Sequence, residues 1–151
     1  MKIFESPDAL ALLKGEPIGT SEWVLVDQQR VNLFADATGD HQWIHVDVER
    51  ATASRFGGPI AHGFLTLSAL PMLMSTAFEI CGTSSGVNYG LDKVRFPAPV
   101  AVGKRIRGHF KLLDWDALTN GTVQLKIEMT VECEGATKPA CVAELILRLF
   151  R

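Results

Sequence analysis

From Val123 to Glu134 the chain alternates without a fault. Val123, Leu125, Ile127, Met129, Val131 and Cys133 are apolar, and Gln124, Lys126, Glu128, Thr130, Glu132 and Glu134 between them are polar. Successive side chains of a strand point to opposite faces, so a period of two predicts a sheet strand with one buried and one wet face. Ile106, Gly108, Phe110 and Leu112 alternate with Arg105, Arg107, His109 and Lys111 in the same way, and Asn120-Gly121 between the two runs is a hairpin-type turn signal. Residues 86 to 97 and 139 to 150 read as two more strands, and 22 to 26 as a short one.

Elsewhere the period is helical. Asp27 is placed to cap QQRVNLFADAT, where Val31, Phe34 and Ala35 share a face and Gly39 supplies the stop. Asp47 caps a second helix through about Phe56, closed by Gly57 and Gly58; Ser6 and Pro7 open a short helix that Gly15 ends. From Gly63 to about Ile80 the chain reads GFLTLSALPMLMSTAFEI, apolar nearly all the way round. A helix without a polar face is wrapped by other elements. Pro71 in its middle removes one backbone hydrogen bond and predicts a kink. The pattern as a whole predicts an α+β fold, an antiparallel sheet of about five strands curled around one long central apolar helix. No repeat or linker-like tract interrupts it, and residues 1–151 read as a single domain.

Composition narrows the function classes. Apolar residues make up 47% of the 151 and charged ones 21%, which is globular. A net charge of −2 with no basic block argues against nucleic acid or an anionic membrane as the main partner. The N-terminus, MKIFESPDALALLKGEP, has acids within its first eight residues and no long apolar run, so neither a signal peptide nor a spanning helix is expected, and cytoplasm is the default. Cys81, Cys133 and Cys141 form no C-x-x-C pair. Cys133 and Cys141 could face each other across a hairpin, but free buried thiols are the expectation for a reducing compartment.

Candidate chemistry concentrates in TGDHQWIHVD, residues 38 to 47, which suits neither an amphipathic helix nor an alternating strand. Three readings compete. The charges can simply be solvated in a capped inter-helix loop. His41 and His45, flanked by Asp40 and Asp47, have helical spacing for a metal, but Gly39 makes this a helix exit and no third imidazole or cysteine is near in sequence. Finally, Asp40 and His45 can converge on one water and exchange protons with it, with Trp43 and Ile44 excluding bulk solvent from both. A second feature favours the third reading. Gly58-Pro59-Ile60-Ala61-His62-Gly63 ends where the apolar helix begins, and helix starts carry unpaired N–H groups. The Gly63 N–H, with no side chain to block approach, is suited to a carbonyl oxygen that gathers negative charge. His62 is read as shaping this turn.

These residues resemble a family. T-G-D-x-x-x-I-H-x-D, with H-G seventeen residues after His45, is similar to the signature of the MaoC-like dehydratases, which include R-specific enoyl-CoA hydratases and NodN-like proteins. IAHGFLTLSALPML and NYGLDKVRFPAPVAVG look NodN-like in particular. The resemblance runs from about Glu22 to the C-terminus and implies the hotdog fold. It also implies hydration of trans-2-enoyl thioesters to R-3-hydroxyacyl thioesters, or the reverse. The catalytic pair falls on Asp40 and His45, and the backbone donor to the thioester carbonyl on Gly63. No metal or cofactor is implied. The partners are an acyl-CoA or acyl-carrier-protein thioester and a second copy of the chain, as a homodimer. One departure stands out: Gln42-Trp43 occupies the place of Asn-Pro, where the Gln42 amide can still pin the loop. A hotdog acyl-CoA thioesterase and a non-catalytic acyl-thioester binding protein remain the alternatives. Lys93, Arg95, Lys104, Arg105 and Arg107 can either meet CoA phosphates or form a solvated strand face.

Overall fold

The computed structural model describes residues Met1–Arg151. Its centre is three long antiparallel strands, β6 (Arg105–Ala117), β7 (Val123–Cys133) and β8 (Cys141–Phe150). β2 (Pro17–Thr20) and β3 (Val24–Leu25) both lie along β6, and β5 (Ser85–Arg95) pairs with β8 at the far edge. The alternation in the sequence is the alternation in space: Val123, Leu125, Ile127, Met129, Val131 and Cys133 are all buried, and the residues between them are not. Asn120 takes a left-handed φ of 58° in the turn between β6 and β7, as an Asn-Gly turn requires.

Against the inner face lies the apolar segment, in two pieces: α4 (Gly63–Ser68) and α5 (Leu70–Ala77). Leu65, Leu70, Leu73 and Ala77 belong to one core of 28 buried residues with the inner faces of the strands. The approach is close. A Cβ on Gly108 would stand 2.9 Å from the Phe110 ring and 3.4 Å from Leu73 Cβ. This is the hotdog fold, a sheet wrapped on a central helix, with mixed helix and antiparallel strand.

The structure corrects the expectations for the long helix and for the N-terminus. The long helix is interrupted at Ala69 rather than at Pro71. Ala69 keeps helical angles (φ −70°, ψ −9°), and the bonds from Ala69 N–H to Leu65 O and from Leu73 N–H to Ala69 O run across it. Pro71 sits in the first turn of α5. There its missing N–H leaves no vacancy in the helix ladder. Residues Phe78–Ile80 leave the helix altogether as β4, which pairs in parallel with β1 (Lys2–Phe4). Nor is the segment enclosed on every side: Phe64, Ser68, Pro71 and Ser75, spaced four, three and four apart, form an exposed stripe. At the N-terminus, Pro7–Leu13 is a 3-10 helix, and Ser6 makes no side-chain cap bond. Cys133 and Cys141 are not cross-strand partners, since Cys141 is opposite Val131 and Cys133 opposite Ile106; all three thiols are free.

Candidate active site

The site is built at the exit of α1 (Gln28–Thr38). Asp27 caps this helix by accepting from Arg30 N–H at 2.8 Å, and Gly39 ends it with a φ of 75°. The chain then turns through Asp40 into α2 (Trp43–Val46), a single helical turn that carries His45. His45 therefore sits on a helix rather than in an open loop; four residues are too few to display a period. Asp47 caps a separate short helix, α3 (Val48–Thr52), accepting from Arg50 N–H at 3.0 Å, where one longer helix was expected.

His45 is fixed from two directions. Its Nδ1 lies 2.6 Å from the Ile60 carbonyl, which only accepts, so Nδ1 carries the proton and donates while Nε2 is bare. The backbone of the same two segments is tied by Ile60 N–H donating to Ile44 O at 3.0 Å. From α1, the Gln28 side-chain amide donates to the His45 carbonyl at 2.8 Å. It is Gln28, and not Gln42, that pins this turn: Gln42 makes no side-chain cap bond. Burial pushes the His45 imidazole below its usual pKa, and the neighbouring His62 ring adds to the effect. The Ile60 carbonyl and Asp40 pull the other way without reversing it. A buried imidazole in this setting is neutral at pH 7.

Asp40 is placed differently from the enclosed carboxyl that Trp43 and Ile44 suggested. It is exposed, and Trp43 lies under Arg50, 4.4 Å from its guanidinium carbon to the ring centre. Its carboxylate receives the Gln42 N–H at 3.4 Å, and its backbone carbonyl accepts from His62 Nε2 at 2.9 Å. One carboxylate oxygen of Asp40 and one ring nitrogen each of His45 and His62 lie within 4.8 Å of one another. A water bonded at ~2.8 Å to two such atoms spans about that separation.

Gly63 is the first residue of α4, and its N–H donates to no backbone carbonyl of the chain. Together with His45 it lines a cavity of about 330 Å³ whose wall includes Ile44, Phe56, Thr66 and Phe96. Phe96 lies flat on the glycine: a Cβ there would meet its ring at 3.0 Å. Asp40 is not part of that lining.

A metal is a poor fit to Asp40, His45 and His62. The two rings are stacked with centroids 3.8 Å apart and planes 25° from parallel. In-plane lone pairs of stacked rings run side by side, whereas a tetrahedral ion needs them to converge at ~2.0–2.1 Å. Of the basic residues of the sheet, Lys93 pairs with Glu144 at 2.8 Å, Arg107 with Glu132 at 2.7 Å, and Arg105 with Glu134, whereas Arg95 and Lys104 meet no carboxylate. His62 was singled out by its H-G motif, but its bond to Asp40 was not foreseen. Gln28 and the Ile60 carbonyl had no signal in the sequence at all.

Comparison with known proteins adds independent findings. Residues 11–133 match the family described as MaoC like domain. The chain is 57% identical over 148 residues to 3-hydroxyacyl-thioester dehydratase Z of Mycobacterium tuberculosis, covering 98% of each. It is 46% identical over 136 residues to nodulation protein N of Rhizobium meliloti, covering 89% of this chain and 84% of that one. Among solved structures, the (R)-hydratase from A. caviae involved in PHA biosynthesis is similar at a TM-score of 0.72 and 19% identity, covering 89% of this chain and 94% of that one.

Proposed function

The chain belongs to the MaoC-like dehydratase family, and from that premise and the geometry of the site we propose that it interconverts trans-2-enoyl and R-3-hydroxyacyl thioesters by adding or removing one water. The observation that carries the reading is the donation of His45 Nδ1–H to Ile60, which leaves Nε2 bare on a ring that has a nitrogen within 4.8 Å of an Asp40 carboxylate oxygen. In hydration, Asp40 orients the water and Nε2 takes one of its protons as the oxygen bonds to the β-carbon. The electron pair of the double bond moves onto the thioester as an enolate, whose oxygen receives the Gly63 N–H. His45 then returns its proton to the α-carbon, so atoms and charge balance and the imidazole ends neutral. A well-placed oxyanion donor contributes ~3–4 kcal/mol, and a positioned acid–base group ~10²–10⁴-fold.

The substrate is an acyl-CoA or acyl-carrier-protein thioester, with its reacting end in the cavity shared by His45 and Gly63. Residues 1–151 form one MaoC-like domain in this reading, working as a homodimer. Support for the second copy comes from β5, whose outer edge has no partner and whose Val87, Tyr89 and Leu91 are exposed. Unpaired edges of this kind are normally covered. Three free thiols suit the cytoplasm, and no helix is long and apolar enough to cross a membrane.

Purified protein with crotonyl-CoA tests the reading. We expect loss of the enoyl absorbance without release of free thiol. Thiol release instead identifies a thioesterase, and binding without either change identifies a carrier.

A further inference from the structure

His62 has no part in the steps above, yet it is 3% exposed and touches both Asp40 and His45. Its Nε2 lies 2.9 Å from the Asp40 carbonyl, an acceptor only, so Nε2 bears the proton and donates. Its Nδ1 is buried with no partner, a vacancy that a core histidine of purely structural use would normally fill. One face of the ring lies 3.8 Å from the His45 ring, centroid to centroid, at 25°. The Phe34 ring of α1 is a third neighbour, 5.0 Å away and tilted. The two ring contacts and the hydrogen bond use different parts of one side chain, edge and face, and add to the backbone ties between the segment of Asp40 and His45 and the segment that ends at His62.

We propose that His62 is a positioning residue of the hydratase site: its edge holds the backbone of Asp40 and its face holds the imidazole of His45, which sets the gap that one water fills. The proposal rests on the hydratase reading of Asp40 and His45. Phenylalanine offers the face without the N–H, and glutamine offers an N–H without the face. Histidine in the Nε2–H form does both at once, and its bare Nδ1 follows from that tautomer. Asp40 is exposed and makes only a 3.4 Å bond through its carboxylate, so the His62 bond is the principal restraint on where that carboxylate stands.

The test uses the full chain with crotonyl-CoA. His62→Phe and His62→Gln are each compared with wild type for kcat and KM, at a temperature well below the melting point of every protein. We expect kcat to fall at least tenfold in both, with KM within threefold, because the acyl thioester still binds while the water is misplaced. A histidine that only stabilises the fold lowers the melting temperature and leaves kcat of the folded protein unchanged. A kcat within tenfold of wild type in either folded variant, or a loss carried by KM, overturns the proposal. A second measurement needs no variant: nitrogen-15 spectra of the wild-type imidazoles should show His62 protonated at Nε2 and His45 at Nδ1. A His62 protonated at Nδ1, or exchanging freely between tautomers, overturns it equally. Wild type that does not hydrate crotonyl-CoA sinks the hydratase reading instead, and the spectra still judge the His62 geometry by itself.

Discussion

The lowered pKa of His45 leaves a trace in stability as well as in chemistry. An unfolded histidine titrates near ~6.5, and the folded one below it. Between the two values the unfolded chain binds the extra proton, so stability is insensitive to pH above about 6.5 and declines as the pH falls from there toward the folded value. His45→Gln lacks this contribution. Between pH 7.5 and 5 it should lose less stability than wild type in denaturant melts, and an equally steep decline would place the titration on another group. In the activity assay the same variant, and Asp40→Asn, should each lose at least ~100-fold in kcat while folding normally. A folded variant within tenfold of wild type removes its residue from the mechanism. The nearness of Asp40 to His45, and of His45 to Gly63, was legible because chemistry-bearing types crowd a short span followed by a helix start. The residues that hold His45 in place were not. Gln28 reaches its carbonyl from 17 positions away, and the Ile60 acceptor is a backbone atom, which every residue type possesses.

Long alternating strands announce themselves, because each adds another repeat of a two-residue period, and β6, β7 and β8 fall where the pattern put them. Short or interrupted helices do not. Both α2 and α3 are too brief to establish a 3.6-residue period, and apolarity on every side of residues 63 to 80 hid the break at Ala69. The break makes a sharp prediction. A proline inside a continuous helix costs ~3 kcal/mol, so Pro71→Ala would then stabilise by a comparable amount. In the first turn of α5 the ring is tolerated, and the substitution should change unfolding free energy by less than ~1 kcal/mol. A gain of several kcal/mol would mean that α4 and α5 join in solution. Leu73, fully buried against β6, sets the opposite scale: Leu73→Ala should lose ~2–5 kcal/mol in the same melts.

At the level of the whole molecule, the wrapped helix was predictable from composition along the chain, whereas the parallel pair β1–β4 was not: it joins Lys2 to Phe78, and nothing local marks either strand. The open edge of β5 and the stripe Phe64, Ser68, Pro71 and Ser75 were also hidden, because a pattern read on one chain cannot say which apolar face awaits another. Charging that edge with Val87→Lys and Leu91→Glu together should convert a two-copy species to one copy in sedimentation; a wild type that already sediments as one copy contradicts the homodimer. The tie between Ile44 and Ile60 has a different kind of consequence. Ile60 N–H meets Ile44 O, and His45 Nδ1–H meets Ile60 O, so the excursion that includes α3, Arg55 and Phe56 is fastened shut at its root. Changes of length beyond the fastening should leave the imidazole in place, provided the fully buried Ala51 is kept. The segment is a cassette: one part of this site whose substrate-facing surface is open to replacement by grafting, with the chemistry left where it stands.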